Sequence, residues 1–260
     1  MSDFLMREGA PFGEEGWKAV DHVVVHVAQK LLVGRRFIDL TGPLGVGVQT
    51  VPIFGVGAAE GAAQVTKRDF LTMQMIQQDF LLSALDIKAA QAQGVGIELG
   101  PAAMAAVACA KAEDQMILNG LMSAKGSKHV VLSDWNEPES VLSDVVAAAE
   151  ALVTENLFGP YAVVLSPALY AKTQRVARGM GRLVSKLIAD VAEAGLFQSP
   201  FLKAEQGLVV AVGKQNMDLV IGQDLVTAYL GNEEMNHRFR VLESLVLRVK
   251  RPGAICTLGK

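Results

Sequence analysis

The chain is short of the residues that mark several protein classes. Two cysteines in 260 residues, Cys109 and Cys256, are too few for a disulfide scaffold or a cysteine-based metal centre. Neither sign of charge dominates: 24 basic against 27 acidic side chains give −3, which leaves no gross basic field to hold nucleic acid. Charged residues make up only 20% and apolar ones 51%, the opposite of a disordered composition. Residues 1–8 show neither a basic n-region nor an apolar h-region, so no signal peptide is read. The longest uncharged run, Leu40 to Ala59, is broken by Gly42, Pro43, Gly45, Gly47, Pro52, Gly55 and Gly57, too many for a membrane helix. A soluble chain of this hydropathy (mean +0.31) has apolar surplus to hide, and a subunit interface is the natural place.

Catalytic signatures are missing as well. There is no P-loop, H-E-x-x-H or G-x-S-x-G. Gly55-Val56-Gly57 and Gly94-Val95-Gly96 begin like dinucleotide loops, but Glu60 and Leu99 stand at their third glycine positions. His22 and His26 have the i, i+4 spacing that presents two imidazoles on one helix face, without a third or fourth ligand nearby in sequence. Glu113-Asp114 is read as a polar face or an intersubunit ion pair rather than an acid/base pair. Both cysteines are read as small core residues.

What is present is a sequence of elements. Residues 14–33 have a broad helical apolar face, with Gly34 as the predicted C-cap. Arg35 to Leu40 alternates like a short strand, and Thr41-Gly42-Pro43 reads as a turn. From there to about Thr66 the Gly/Val/Ala composition predicts an extended β-arm, and 69–87 is read as extended. Gly100-Pro101 opens a helix running to about Ser123, whose alanines predict close packing on several faces. Then come a helix at 141–153, a strand at 161–165, a helix at 183–192, strands at 207–212 and 219–221, and a long alternating strand at 239–249.

Several segments resemble the family 1 encapsulins. They are Phe4-Leu5-Met6-Arg7 with Ala10-Pro11 and Trp17; Gly34-Arg35-Arg36-Phe37-Ile38-Asp39-Leu40 with Gly42-Pro43; and Glu113-Asp114 with Gly120. Gly159-Pro160-Tyr161, Ile221-Gly222-Gln223-Asp224-Leu225 with Tyr229, and Glu243-Ser244 complete the series, in order from end to end. The resemblance implies an α+β chain with the HK97-type fold of tailed-phage major capsid proteins: a peripheral domain, an extended E-loop arm and an axial domain. On that basis residues 1–40 hold the N-terminal helix and the start of the peripheral domain, and 41–80 the arm. Residues 81–134 hold the peripheral domain with its spine helix, 135–220 the axial domain, and 221–260 the return to the peripheral domain.

The function so implied is a non-enzymatic shell protein of a cytoplasmic encapsulin nanocompartment. Its partners are itself, in about 60 or more copies weighing roughly 1.7 MDa at the smallest, and a cargo enzyme of ferritin-like iron-oxidase or peroxidase type. The cargo is held by a short C-terminal peptide, with roles in iron storage or oxidative stress. No nucleic acid, membrane, metal or cofactor is implied. Val46 and Leu85 stand where some relatives carry tryptophan, so no flavin is expected. The implied cargo groove is lined by Leu31, Arg35, Asp39, Leu40, Asp224, Leu225 and Tyr229, with an Arg35–Asp39 pair as the purely structural alternative. The five-fold pore loop falls at Gly179, Met180, Gly181 and Arg182. Two other functions remain open: a phage major capsid protein packaging DNA, against which the absence of a scaffolding segment before the arm is read, and a small oligomeric metal-dependent enzyme using His22 and His26.

Overall fold

The computed structural model describes residues 3–59, 62–179 and 181–260. In chain order its elements begin with α1 (Glu14–Leu31), β1 (Leu40–Thr41), β2 (Thr50–Ala59), β3 (Ala62–Thr72) and β4 (Gln74–Ser83). Next come α2 (Ala84–Gln93), α3 (Gly100–Met122), β5 (Lys128–Val131), α4 (Pro138–Val153), β6 (Tyr161–Leu165) and α5 (Pro167–Thr173). The chain closes with α6 (Val184–Val191), β7 (Gly195–Gln198), β8 (Gly207–Ala211), β9 (Met217–Glu233), β10 (Asn236–Val249) and β11 (Ile255–Gly259).

The strands form three sheets, ordered β1-β9-β10-β4, β5-β11-β8-β6-β7 and β2-β3. In the four-stranded sheet β9 and β10 make a long antiparallel hairpin, β4 pairs along β10 from Asn236↔Ser83 to Leu245↔Gln74, and β1 joins β9 in parallel. Helices α1 and α3 pack on this sheet through Trp17, Val20, Val24, Ala102, Ala105 and Ala106, against Phe80, Phe239 and Val241. A larger core joins the five-stranded sheet to α4 and α6 and reaches Phe37, Ile38 and the C-terminal half of α3. Residues 135–220 contribute α4 to α6 and three strands, β6, β7 and β8, to this unit. Residues 221–260 do not return whole to the four-stranded sheet: β11 crosses into the five-stranded one between β5 and β8. There Ile255, Cys256 and Leu258 are fully buried, which three apolar residues at the end of a chain obtain only inside a sheet that is covered.

Local sequence accounts for most elements, and tertiary contacts for the exceptions. The spine α3 buries Ala102, Ala105, Ala106, Cys109, Ala110, Glu113, Asp114, Ile117, Leu118 and Leu121. That is one broad stripe at helical spacing rather than every face, and Met104, Lys111, Gln115 and Asn119 lie exposed. Residues 69–83 are extended as expected, but 84–93 turn into α2, whose N-cap Ser83 accepts the Asp86 amide through its hydroxyl. The arm is a two-stranded ribbon over 50–72, paired from Thr50↔Thr72 outward, with a bulge between Gly55 and Val56.

Residues 35–40 do not form the expected strand. Gly34–Arg36 is a single 3₁₀ turn and only Leu40–Thr41 pairs with β9. Consecutive burial of Phe37 and Ile38 breaks the alternation a strand needs. Nor does Gly34 cap α1, which closes at Leu32. Glycine at 34 lets the turn lie close on the spine: a Cβ there would lie 2.6 Å from Ile117 Cδ1 and force that side chain to shift. At Gly42 the constraint is conformational as well, with φ at +122° and a would-be Cβ 2.3 Å from the Ile221 carbonyl oxygen.

Candidate functional site

The site is built where α1 ends against a bulge in the β9–β10 hairpin. Leu242 pairs with Val226 and Ser244 with Gln223, so Asp224 and Leu225 together face Glu243 alone. A bulge re-aims side chains. Here it turns Asp224 outward and points Glu243 into the protein, 56% and 1% exposed. The Ser244 hydroxyl accepts the Gln223 amide, and the Leu225 amide donates to the Asp224 carboxylate at 2.8 Å, which fixes the bulge.

Arg35 enters from the 3₁₀ turn and binds three carboxylates. Its Nε donates to Glu113 at 2.8 Å and its Nη1 to Asp224 at 2.7 Å, while Nη2 serves both Glu113, at 2.8 Å, and Glu243, at 2.9 Å. Glu113 is fully buried, and Glu243 Oε1 is buried without a hydrogen-bond partner among the described residues. Burial, with the Glu113 charge behind it, pushes the Glu243 carboxyl up to about 9. The Arg35 guanidinium is held above its ordinary value: burial works against the charge, and the Glu113 and Asp224 carboxylates outweigh it.

The Glu113-Asp114 pair is therefore intramolecular and interior, neither a polar face nor an intersubunit bridge. Asp114 accepts the Val33 and Gly34 amides at 2.8 and 2.9 Å and ties the end of α1 to the spine. Burial nevertheless raises its pKa. Cys109, one turn earlier on α3, is buried, and burial then the Glu243 charge push its thiol up to about 12, so it stays a protonated core residue.

Above this polar cluster, Val25, Ala28, Gln29 and Leu32 of α1 and its C-terminal turn, with Arg35, Asp224 and Leu225, line a depression of about 80 Å³. Three of the seven residues singled out from the sequence, Arg35, Asp224 and Leu225, meet there. Leu31 is exposed on α1, and Asp39 and Leu40 are exposed at β1, but none of the three lines the depression. Arg35 does not pair with Asp39. Tyr229 is in the core, packed on Phe239 with its hydroxyl 2.9 Å from His237 Nδ1, because the bulge shifts the face it occupies. Val25 and Gln29 were missed. Their signal was an apolar and a neutral side chain four apart on the otherwise charged and histidine-bearing face of α1.

The loop at 179–182 lies between α5 and α6. Gly179 and Gly181 have φ of +72° and +62°, and Met180 lies outside the described residues. The Val176–Leu183 bridge pins the loop's neck, and Arg182 pairs with Asp190 at 3.0 Å. His22 and His26 are exposed with rings stacked at 5.6 Å. Among the described residues no group of three or more His, Cys, Asp or Glu side chains is gathered as a metal needs. Among them, too, no helix is long and apolar enough to cross a membrane.

An arm, a spine helix and two sheet units in this order define a capsid-like shell subunit. The virus-like particle from Pyrococcus furiosus has the same fold, with a TM-score of 0.84 at 20% identity over 94% of this chain and 99% of that one. A chain of Mycobacterium phage Che8 also superposes, with a TM-score of 0.60 at 16% identity over 81% and 84%. Within that class, the family of encapsulating proteins for peroxidase matches residues 1–246, and the chain belongs to this encapsulin family. It is 43% identical to the type 1 encapsulin shell protein EncA of Myxococcus xanthus over 99% of this chain and 97% of that one. It is 36% identical to a diheme-cytochrome-encapsulin shell fusion protein of Kuenenia stuttgartiensis over 94% and 73%. The chain is thus a shell protein of a capsid-like nanocompartment.

Proposed function

We propose that the shell encloses a ferritin-like or peroxidase-type enzyme, and that each subunit holds the enzyme's C-terminal tail in the depression between α1 and the β9 bulge. The observation that carries this reading is an apolar rim, Val25 and Leu225 with exposed Leu31 nearby, around a carboxylate fixed by Arg35. Such a site takes a short extended peptide by one or two apolar side chains and one polar contact. Each contact is weak, and many tails in one lumen add avidity. The cargo class is supported by the family's description and by a 23% identical ferritin-like–encapsulin shell fusion protein of Pyrococcus furiosus, which joins cargo and shell in one chain. High identity to a named shell protein favours this over a DNA-packaging capsid.

Assembly in this reading runs through the arm, whose Phe54, Val56, Val65 and Phe70 are exposed in the single chain. The loop at 179–182 lines the capsomer centre. The test is co-expression with a fluorescent protein bearing the last thirty or so residues of a ferritin-like or peroxidase-type protein from the same organism. The expected product is a megadalton particle by light scattering that carries the reporter and has a protein-like 260/280 nm absorbance ratio. Empty particles, or particles with a nucleic-acid spectrum, would sink the cargo reading.

A further inference from the structure

We infer that Glu243, buried against Glu113, holds a proton at neutral pH and that the two, through Arg35, position Asp224 in the groove, so that alkaline removal of that proton releases Asp224 and weakens tail binding. The link to the tail rests on the function proposed above; the proton on Glu243 does not.

The geometry imposes the proton. One guanidinium faces three carboxylates, and two of these are in the dry interior. Because Arg35 Nη2 donates to both Glu113 and Glu243, their oxygens lie within about 6 Å of each other, the range in which one ionised carboxyl suppresses a second. Other charged groups around the pair give no relief. From α3 the facing groups are Asp114, itself an acid occupied by two amides, and the protonated thiol of Cys109. From the turn after α1 the only facing cation is Arg35, since Arg36 is exposed and donates to the Lys30 carbonyl. From β9 the facing group is a further anion, the Asp224 carboxylate, and Asp79 on β4 is taken by Arg240 and Arg238. The unpartnered Glu243 Oε1 marks where a full negative charge would be left without a donor. The upward displacement of Glu243 to about 9 agrees with this arrangement.

Loss of the proton has a defined consequence. Two buried anions then compete with Asp224 for one cation. Asp224 is the member that water can solvate cheaply, so it gives up its bond to Nη1 while Arg35 stays with the buried pair. Glu113 and Glu243 are thus positioning residues for a groove they do not line. Linkage gives the sign for stability. A carboxyl whose folded-state pKa is raised favours the fold fully below the ordinary carboxyl range, and that contribution is lost as pH climbs through about 9.

Two measurements on the assembled shell separate the parts. Infrared spectroscopy in D2O near neutral pH should show the carbonyl band of a protonated carboxylic acid that survives when other carboxyls are ionised. The band should fade on titration to about pH 10 and be absent from Glu243→Gln, with Asp114→Asn as the control for the neighbouring buried acid. Absence of the band, or its persistence in Glu243→Gln, overturns the inference. Capture of the tail-bearing fluorescent reporter should fall roughly tenfold between about pH 7 and pH 10 for the parent shell and stay flat for Glu243→Gln. A parent profile as flat as that of the variant overturns the coupling to Asp224. No capture at any pH, with the infrared band present, overturns the groove reading and leaves the proton on Glu243 standing. Should Glu243→Gln fail to assemble, Glu113→Gln removes the neighbouring charge that holds the proton on Glu243 and is read in the same way.

Discussion

Asp114→Ala tests how the groove is held to the spine. The amides of Val33 and Gly34 follow the last turn of α1, where no helical carbonyl is in place for them, and the Asp114 carboxylate accepts both. Alanine leaves two buried N–H donors unsatisfied, at about 1–2 kcal/mol each, so local opening of residues 32–36 should become easier by about 2–4 kcal/mol. That corresponds to roughly 30- to 1,000-fold faster amide exchange at Val33 and Gly34. Hydrogen exchange read by mass spectrometry suits the assembled particle, since it needs no two-state unfolding of a megadalton object. Asp114→Asn is the informative partner: one oxygen, in the place of Oδ1, still faces both amides, and burial already disfavours the charge, so exchange should accelerate by less than about tenfold. Equal exchange in all three proteins would refute the argument, because the turn would then be held by packing of Phe37 and Ile38 alone.

Three further outcomes are expected. Phe70→Asp, on a side chain 68% exposed in the single chain, should leave the subunit folded and stop the shell from closing, read as loss of the megadalton peak in light scattering. Leu225→Asp should reduce reporter capture about tenfold at unchanged particle mass, since it puts a charge on the apolar rim; capture equal to the parent would remove Leu225 from the groove. Asp218 is buried, which opposes ionisation, yet hydrogen bonds from Arg248 and Thr41 hold its pKa below the usual carboxylate range. Its contribution to stability is present above that range and lost as pH falls through the lowered value, so Asp218→Asn should remove part of the particle's acid sensitivity in a light-scattering titration.

The sequence was most legible where one period governs a whole element. The spine, α4, β6, β8 and β10 lie within a few residues of their expected places, because each buries one regular stripe against one neighbour. It was least legible where a residue answers to a partner far along the chain. Arg35 reads as part of an alternating strand, but its guanidinium meets residues 78, 189 and 208 positions away, and the backbone bends to let it. Of the seven groove residues the resemblance implied, Arg35, Asp224 and Leu225 converge on one depression. Tyr229 was lost to a register shift, since bulges in β9–β10 reassign faces in a way no alternation pattern reports. Glu243 stood in a quoted motif, yet nothing local says that its carboxyl enters a dry interior beside another acid.

The arm connects composition to assembly. A two-stranded ribbon is marginal by itself in water, and every residue of β3 except Leu71 is exposed in the single chain. Its apolar side chains do not gather on one face that could fold back onto the body. Pro52 pairs with Phe70 and Phe54 with Arg68 on one side of the ribbon, and Val51 with Leu71 on the other, with Val56 and Val65 beyond the bulge. Among the described residues the anchoring lies at the base, where Val51 packs with Val220 and Val246 and Arg248 donates to the Pro52 carbonyl. A ribbon with apolar groups on both faces is satisfied only when lined on both sides, which one chain cannot do and a ring of copies can. The surplus hydropathy that first pointed to an interface is therefore carried in part by Phe54, Val56, Val65 and Phe70. In the proposed assembly these side chains belong to the shell's energetics rather than to the subunit's, and for that reason Phe70→Asp should separate folding from closure.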